Sequence, residues 1–220
     1  MRDRPAPANA PMAFLSDIHG NLRAFDAVLD ELQRRLIKSV FVAGDLLLGG
    51  DDPVGVFKRL QQIDARCTRG VSDTALVEVS PGTLRPTDEA QATMARKFEQ
   101  TRERLGELAL KYVERLPDKL RLPMMDGSEI VMVHGSPADP TIELSHDLDD
   151  EEMYALLGGD PADIVVCGAS HVPFQREFED VRVVNVGSVG QAPEGGTAHY
   201  TVITPRMDGM VIEQTYVEYA

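Results

Sequence analysis

The chain reads as an α/β protein, two packed sheets with helices outside. Three observations lead there. Short apolar runs alternate with amphipathic helical stretches in the first third, and strand-like runs separated by turn residues dominate the second half. Asp or His follows several apolar runs directly, at the ends where sheets of this class bind ligands.

Residues 1–11, rich in Pro and Ala, are expected to form a flexible arm, and 12–220 one domain. The apolar run at 12–16 leads into a helix expected over Asn21–Leu36. Its Leu22, Phe25, Val28, Leu29, Leu32 and Leu36 recur at helical spacing. A second run at 39–43 precedes a helix over Pro53–Ile63, with proline suited to the first helical position. Strand, helix, strand, helix predicts a βαβ unit with parallel strands. Residues 87–116 predict a long polar helical stretch in two pieces. Asp126-Gly127, between Leu120–Met125 and Glu129–Val133, predicts a hairpin. A short helix over 149–157 ends at Gly158-Gly159, and strands are expected at 163–167, 174–178, 181–186, 198–204 and 210–218. The first half is expected to be parallel and the second more antiparallel.

Composition narrows the functional classes. Lys and Arg number 22 against 36 Asp and Glu, a net charge of −14, which opposes broad nucleic-acid binding because phosphate backbones need cations. A hydrophobic share of 43% supports a sizeable core. No apolar run approaches membrane-spanning length, and the N-terminus lacks the pattern of a signal peptide. Cys67 and Cys167 read as free buried thiols, so a cytoplasmic location is expected.

The motifs carry the chemistry. Asp17 and His19 follow AFLS, and residues two apart in an extended segment project to the same side, so both can grip one ion. Gly20-Asn21 then opens a helix whose backbone N–H groups suit an anion; the plainer reading is a helix cap. Asp45 follows SVFVAG, His134 follows EIVMV and His171 follows DIVVCGAS. Of five histidines, three thus stand at strand ends, whereas His146 and His199 read as ordinary surface or sheet positions.

With SDIHGN at 16–21, GD at 44–45, RG and SD around 69–73, VHGSPADP at 133–140, GASH at 168–171 and NVGSVGQ at 185–191, the chain resembles the calcineurin-like metallophosphoesterases. Its likeness is strongest to their small bacterial and archaeal phosphodiesterase type. The resemblance implies a four-layer αββα sandwich, two packed mixed β-sheets flanked by helices, and a metal-dependent phosphatase or phosphodiesterase. It implies Asp17, His19 and His171 as ligands of a first metal, Asp45 as a bridge and His134 as a ligand of a second. It also implies a small phosphorylated substrate touching Gly20, Asn21, Arg69, Ser136 and Ser188, with Asp45, Asn21 and Ser72 closest to the chemistry. Mixed imidazole and carboxylate ligands favour Mn²⁺, with Fe or Zn²⁺ as alternatives. The resemblance leaves room for a homo-oligomer.

The chain departs from the family pattern at three positions. Val71 stands where the family has an asparagine ligand, Ser72 where it has a histidine beside the phosphoryl group, and Ala169 where it has another histidine ligand. Neither valine nor alanine offers a side-chain donor atom. All three replacements fall on the second-metal half, leaving Asp45 and His134 there. One tightly bound ion per chain and weakened hydrolysis are therefore expected. A second reading is a non-catalytic relative that binds a phosphorylated ligand or a protein.

Overall fold

Met12 and Phe14 face one way along the first strand, Ala13 and Leu15 the other, and all four are buried. A strand covered on both faces must lie between two layers, and in this protein it does. A computed structural model describes residues 10–80, 82–178, 180–206 and 209–219. Most of the expected arm, residues 1–9, lies outside the described residues.

The first sheet begins with β1 (Met12–Leu15), β2 (Ser39–Ala43) and β3 (Arg66–Thr68), which pair in parallel. The intervening helices are α1 (Leu22–Arg34) and α2 (Pro53–Gln62), and α3 (Val71–Glu78) and α4 (Glu89–Glu114) follow. The second sheet contains β4 (Lys119–Pro123), β5 (Glu129–Val133), β6 (Ile164–Cys167), β7 (Phe174–Phe178) and β8 (Val181–Asn185), with α5 (Asp150–Leu157) crossing between β5 and β6. The chain ends in β9 (Thr197–Arg206) and β10 (Gly209–Glu218), which return to the first sheet. The strand orders are β10-β9-β1-β2-β3 and β4-β5-β6-β8-β7.

Both sheets are mixed, as the resemblance implies; the second half, expected to be the more antiparallel, is less so than expected. In the second sheet β5, β6 and β8 are parallel, and only the outer β4 and β7 run against them. The buried runs of β5 and β6 carry no local mark of direction; the crossover through α5 sets it.

Burial sorts into three clusters and so into four layers. Ala13, Leu15, Val40 and Val42 pack with Phe25, Val28, Leu60 and Phe98 beneath α1–α4. Met12, Phe14, Phe41 and Ala43 meet Met132, Val166 and Val184 between the sheets. Val131, Val165 and Val183 pack with Met153 and Leu157 of α5 on the far side. Cys67 and Cys167 lie in different clusters, buried and unpaired.

Backbone conformation sets two helix boundaries, one against expectation and one in keeping with it. Leu36 continues the apolar spacing of α1 but is 81% exposed, because α1 ends at Arg34 and Leu36 takes a left-handed φ of 58°. In α4, Gly106 takes φ 67° and ψ 178°, breaking the helix into the two expected pieces.

The stacked Phe14 and Phe41 rings, 5.0 Å apart, are cross-strand neighbours on β1 and β2 and present their faces to the second sheet within the layer between the sheets. Truncation by Phe14→Ala is expected to lower stability by about 3–5 kcal/mol. Urea unfolding monitored by circular dichroism measures it; a loss under about 1 kcal/mol would mean the inter-sheet layer is not close-packed.

Candidate metal centre

The parallel strands of both sheets bring their C-terminal ends to one edge of the sandwich. Asp17 and His19 follow β1, Asp45 follows β2, Gly70 to Asp73 follow β3, His134 follows β5, His171 follows β6 and Ser188 follows β8. Turning sharply off each strand takes an unusual backbone. Asp17, His19, Asp45, Ala169 and His171 all adopt positive φ, between 50° and 66°. Among the described residues only Leu36 and Asp64, just beyond the ends of α1 and α2, are other non-glycine cases. Such strain costs energy and persists where surrounding contacts enforce it.

Glycine allows the loops to approach this closely. A Cβ on Gly44 would stand 2.7 Å from Gly70 backbone and 2.9 Å from His134 Nδ1. One on Gly168 would lie 2.6 Å from Asp17 Oδ2.

The structure brings all five expected ligand residues together. His171 Nε2 lies 3.1 Å from Asp17 Oδ1, and His19 Nε2 lies 3.5 Å from the same oxygen. His19 Nε2 is also 3.8 Å from Asp45 Oδ2, and His134 Nε2 is 3.5 Å from Asp45 Oδ1. Two groups have ligand atoms within 4.8 Å of one another: Asp17, His19 and His171, and Asp17, Asp45 and His134. Asp17 belongs to both. The second group thus has three protein ligands within reach, one more than the two counted from the sequence.

Hydrogen bonding fixes the tautomers. His19 Nδ1 donates to the Leu48 carbonyl at 2.8 Å, and His134 Nδ1 donates to that of Ala43 at 2.7 Å. A carbonyl accepts only, so each Nδ1 carries hydrogen and each neutral ring turns the Nε2 lone pair inward. His19 Nε2 and His171 Nε2 face each other at 3.2 Å.

Buried carboxylates and inward lone pairs demand positive charge, as protons on the rings or a cation between them. Burial pushes His19 down, but its hydrogen bond to Asp17 and the charges of Asp45 and Asp17 outweigh this and raise it above its ordinary value. Burial likewise opposes the charged form of His134, and the charges of Asp45 and Asp17 raise it. Burial would lift Asp17, yet hydrogen bonds from His171 and His19 and the charge of His134 hold it well below the usual carboxylate range. The donor set fits a divalent ion of the Mn²⁺, Fe or Zn²⁺ kind.

The three replaced positions lie at this edge, and two of them touch the ligand carboxylates through main chain. Ser72 N donates to Asp45 Oδ1 at 2.8 Å, and Ala169 N donates to Asp17 Oδ2 at 3.0 Å. Val71 is 45% exposed at the start of α3, and Ser72 Oγ is buried without a hydrogen-bond partner.

The residues expected near substrate divide differently. Asn21 caps α1 by accepting from Ala24 N, and its amide donates to Gly190 O and the Tyr219 hydroxyl, so the cap reading describes it. Ser188 Oγ donates to Asp17 O and accepts from Gln191 N. Ser136 Oγ closes a turn on Asp139, and the Arg69 guanidinium pairs with Asp118 at 3.0 Å. Gly20 N donates to Leu46 O. These groups brace the loops around the ligands and have their polar atoms engaged in doing so. His199, read as an ordinary sheet position, is buried on β9.

Two residues not singled out from the sequence also hold the centre. Asp73 is fully buried and accepts from Leu46 N and Gly70 N, both at 3.0 Å, clamping the loop on either side of Asp45. Burial, then the charge of Asp45, pushes its carboxyl up to about 6. Asn185 donates to Leu144 O, Gly168 O and Ser170 Oγ and accepts from Gly187 N. A polar residue just after an apolar run marks Asn185, as it does the ligands.

Comparison with known proteins agrees with this arrangement. The model of the calcineurin-like phosphoesterase superfamily domain matches residues 11–208. The chain belongs to that superfamily. An uncharacterized protein of Methanocaldococcus jannaschii is 26% identical over 227 residues, covering 94% of this chain and 87% of that protein. In fold the chain is similar to a hypothetical protein of Pyrococcus horikoshii, with TM-score 0.80, 23% identity, and coverage of 96% and 88% of the two chains. It is also similar to a metallophosphoesterase of Sphaerobacter thermophilus, with TM-score 0.75, 22% identity, and coverage of 97% and 90%. Among the described residues no helix is long and apolar enough to cross a membrane.

Removing the clamp should be costly. Asp73→Ala leaves the Leu46 and Gly70 amides without their acceptor, and about 1–3 kcal/mol of stability is expected to be lost for each. Urea unfolding of variant and parent measures this; unchanged stability would show that Asp73 does not hold the Asp45 loop.

Proposed function

We propose that the protein is a metal-dependent phosphoesterase acting on a small phosphorylated substrate through one tightly bound ion, Mn²⁺ before Fe or Zn²⁺. The observation that carries this reading is the inward convergence of imidazole nitrogens and carboxylates at the shared strand edge, in a chain of phosphoesterase ancestry. Asp17, His19 and His171 are the tight ligand set, with two imidazoles and a fully buried carboxylate. Asp45 and His134 form the weaker half, because their third partner, Asp17, is shared and the side chains at 71 and 169 offer no donor atom.

A cation bound there supplies Lewis acidity to a phosphoryl oxygen and to water. The protein does the rest. Leu48 and Ala43 hold His19 and His134 by their Nδ1 hydrogens, so both rings keep the orientation that ligation needs. The Ala169 and Ser72 amides orient the carboxylates of Asp17 and Asp45. Asp45 is the group we assign to accept a proton from an attacking water, and Ser72, on the first turn of α3, holds it through its amide. A homo-oligomer remains compatible with this reading.

The replacements at Val71, Ser72 and Ala169 favour a second reading, a phospho-ligand or protein-binding module without turnover. Metal content and hydrolysis separate the two. Chelator-treated protein reloaded with Mn²⁺ is expected to hold near one ion per chain by elemental analysis; two tightly held ions would defeat the single-ion reading. Asp17→Asn and Asp45→Asn are each expected to lower kcat/KM on bis-p-nitrophenyl phosphate by about a hundredfold or more. Hydrolysis equal to the parent's in both variants would remove the enzyme reading. The combined change Val71→Asn, Ser72→His and Ala169→His is expected to raise turnover by about a hundredfold, the scale of a restored proton-transfer partner. No gain in the triple variant would mean that more than these side chains limits the rate.

A further inference from the structure

Beside the candidate centre lies an open cavity of about 620 Å³, a size typical of small-molecule sites, whose walls are largely apolar. Leu48, Ala75, Leu84, Met94, Ala95 and Phe98 form most of the lining, and Arg85 and Lys97 bring positive charge to it. Three of its walls are continuous with the ligand loops. Leu48 offers its carbonyl to His19 Nδ1, and a Cβ on Gly49 would stand 3.0 Å from His19 Cβ. Gln191 lines the cavity and donates its N–H to Ser188 Oγ, which bonds the Asp17 carbonyl. Ala75 sits on α3 one turn beyond Ser72, whose amide holds Asp45. The first half of α4 closes the remaining side, with Met94 73% exposed.

We propose that this groove binds an aromatic ester group of the substrate and so sets the preference of the phosphoesterase site; the inference rests on that reading of the centre. With the phosphate of an ester at the ligands, its organic part would reach the groove by passing His19 to the Leu48–Gly49 wall. Apolar surface there is worth covering only with an apolar group. Phe98 and Met94 suit a flat ring, since aromatic rings gain from edge contacts and from a thioether. A nucleoside fits less well, because its base and sugar need several hydrogen-bond partners. Of the two glutamines in the lining, Gln91 already accepts from Thr87 N and Oγ1. Arg85 and Lys97 make the groove's surroundings less repulsive to an anionic ester in a chain whose net charge is −14.

The test uses the Mn²⁺-loaded full chain and two non-hydrolysable probes, 1-naphthylphosphonate and methylphosphonate, by isothermal titration calorimetry. The naphthyl probe is expected to bind at least about tenfold more tightly, the scale of apolar pocket discrimination. Ala95→Trp, which fills the groove, is expected to bring the ratio close to one. Met94→Gln, at an exposed position that folding does not require, should lower it in the same direction. Leu108→Gln, on the second half of α4, is the control and should leave the ratio at the parent's value. Equal affinity for the two probes, or no binding of either, would overturn the proposal. So would adenosine 5′-monophosphate binding more tightly than the naphthyl probe, which would give the groove to a nucleoside. Self-association of the parent that Ala95→Trp abolishes would give it to a second copy, with the same result. Hydrolysis is read separately on bis-p-nitrophenyl phosphate and methyl p-nitrophenyl phosphate, which share a leaving group. Inactivity on both with the binding preference intact would strike the enzyme reading and leave the groove standing.

Discussion

Five ionisable side chains, four of them buried, meet at one edge of the sandwich, and holding them there is the constraint on which the loops of that edge depend. The fifth, His171, is partly buried; the buried carboxylates need donors, and the buried imidazoles of His19 and His134 need an acceptor on the outer nitrogen. Backbone groups meet much of that need. Carbonyls of Leu48 and Ala43 take the imidazole hydrogens, and amides of Ser72 and Ala169 reach the carboxylates. Main chain can come so close only where the loops leave their strands at left-handed residues and cross at glycines.

The sandwich exists around this edge. Parallel pairing within each sheet aligns the strand C-termini, and the apolar layer in which Phe14 and Phe41 meet Met132, Val166 and Val184 keeps the two sets facing one another. The outer antiparallel strands complete the sheets without adding ligands. Asp73 and Asn185 then tie neighbouring loops together, so the centre is a property of both sheets at once.

Much of this was legible in the sequence. A polar ligand type directly after an apolar run is a local signal, and it located Asp17, His19, Asp45, His134 and His171, which the fold brings together. The break in α4 was legible too, because the polar stretch contains Gly106. The direction of β5, β6 and β8 was not, since alternation and burial look alike in parallel and antiparallel strands. Strand β3 is only three residues long, and α3 has no regular apolar face, so neither leaves a periodic trace. The engagement of Asn21, Ser136 and Ser188 in bracing was hidden because a side chain that binds substrate and one that closes a turn have the same chemistry. The groove draws its walls from segments far apart in the chain, a relation that spacing cannot reveal.

The amides of Ser72 and Ala169 have a consequence for the history of such a site. Side chains at those positions can change without removing the hydrogen bond to the carboxylate, proline excepted, because the backbone makes it. Ligand atoms can then be lost by drift while the architecture that received them stays folded. The backbone scaffold of the centre is thus separable from the side chains that would furnish its ligands.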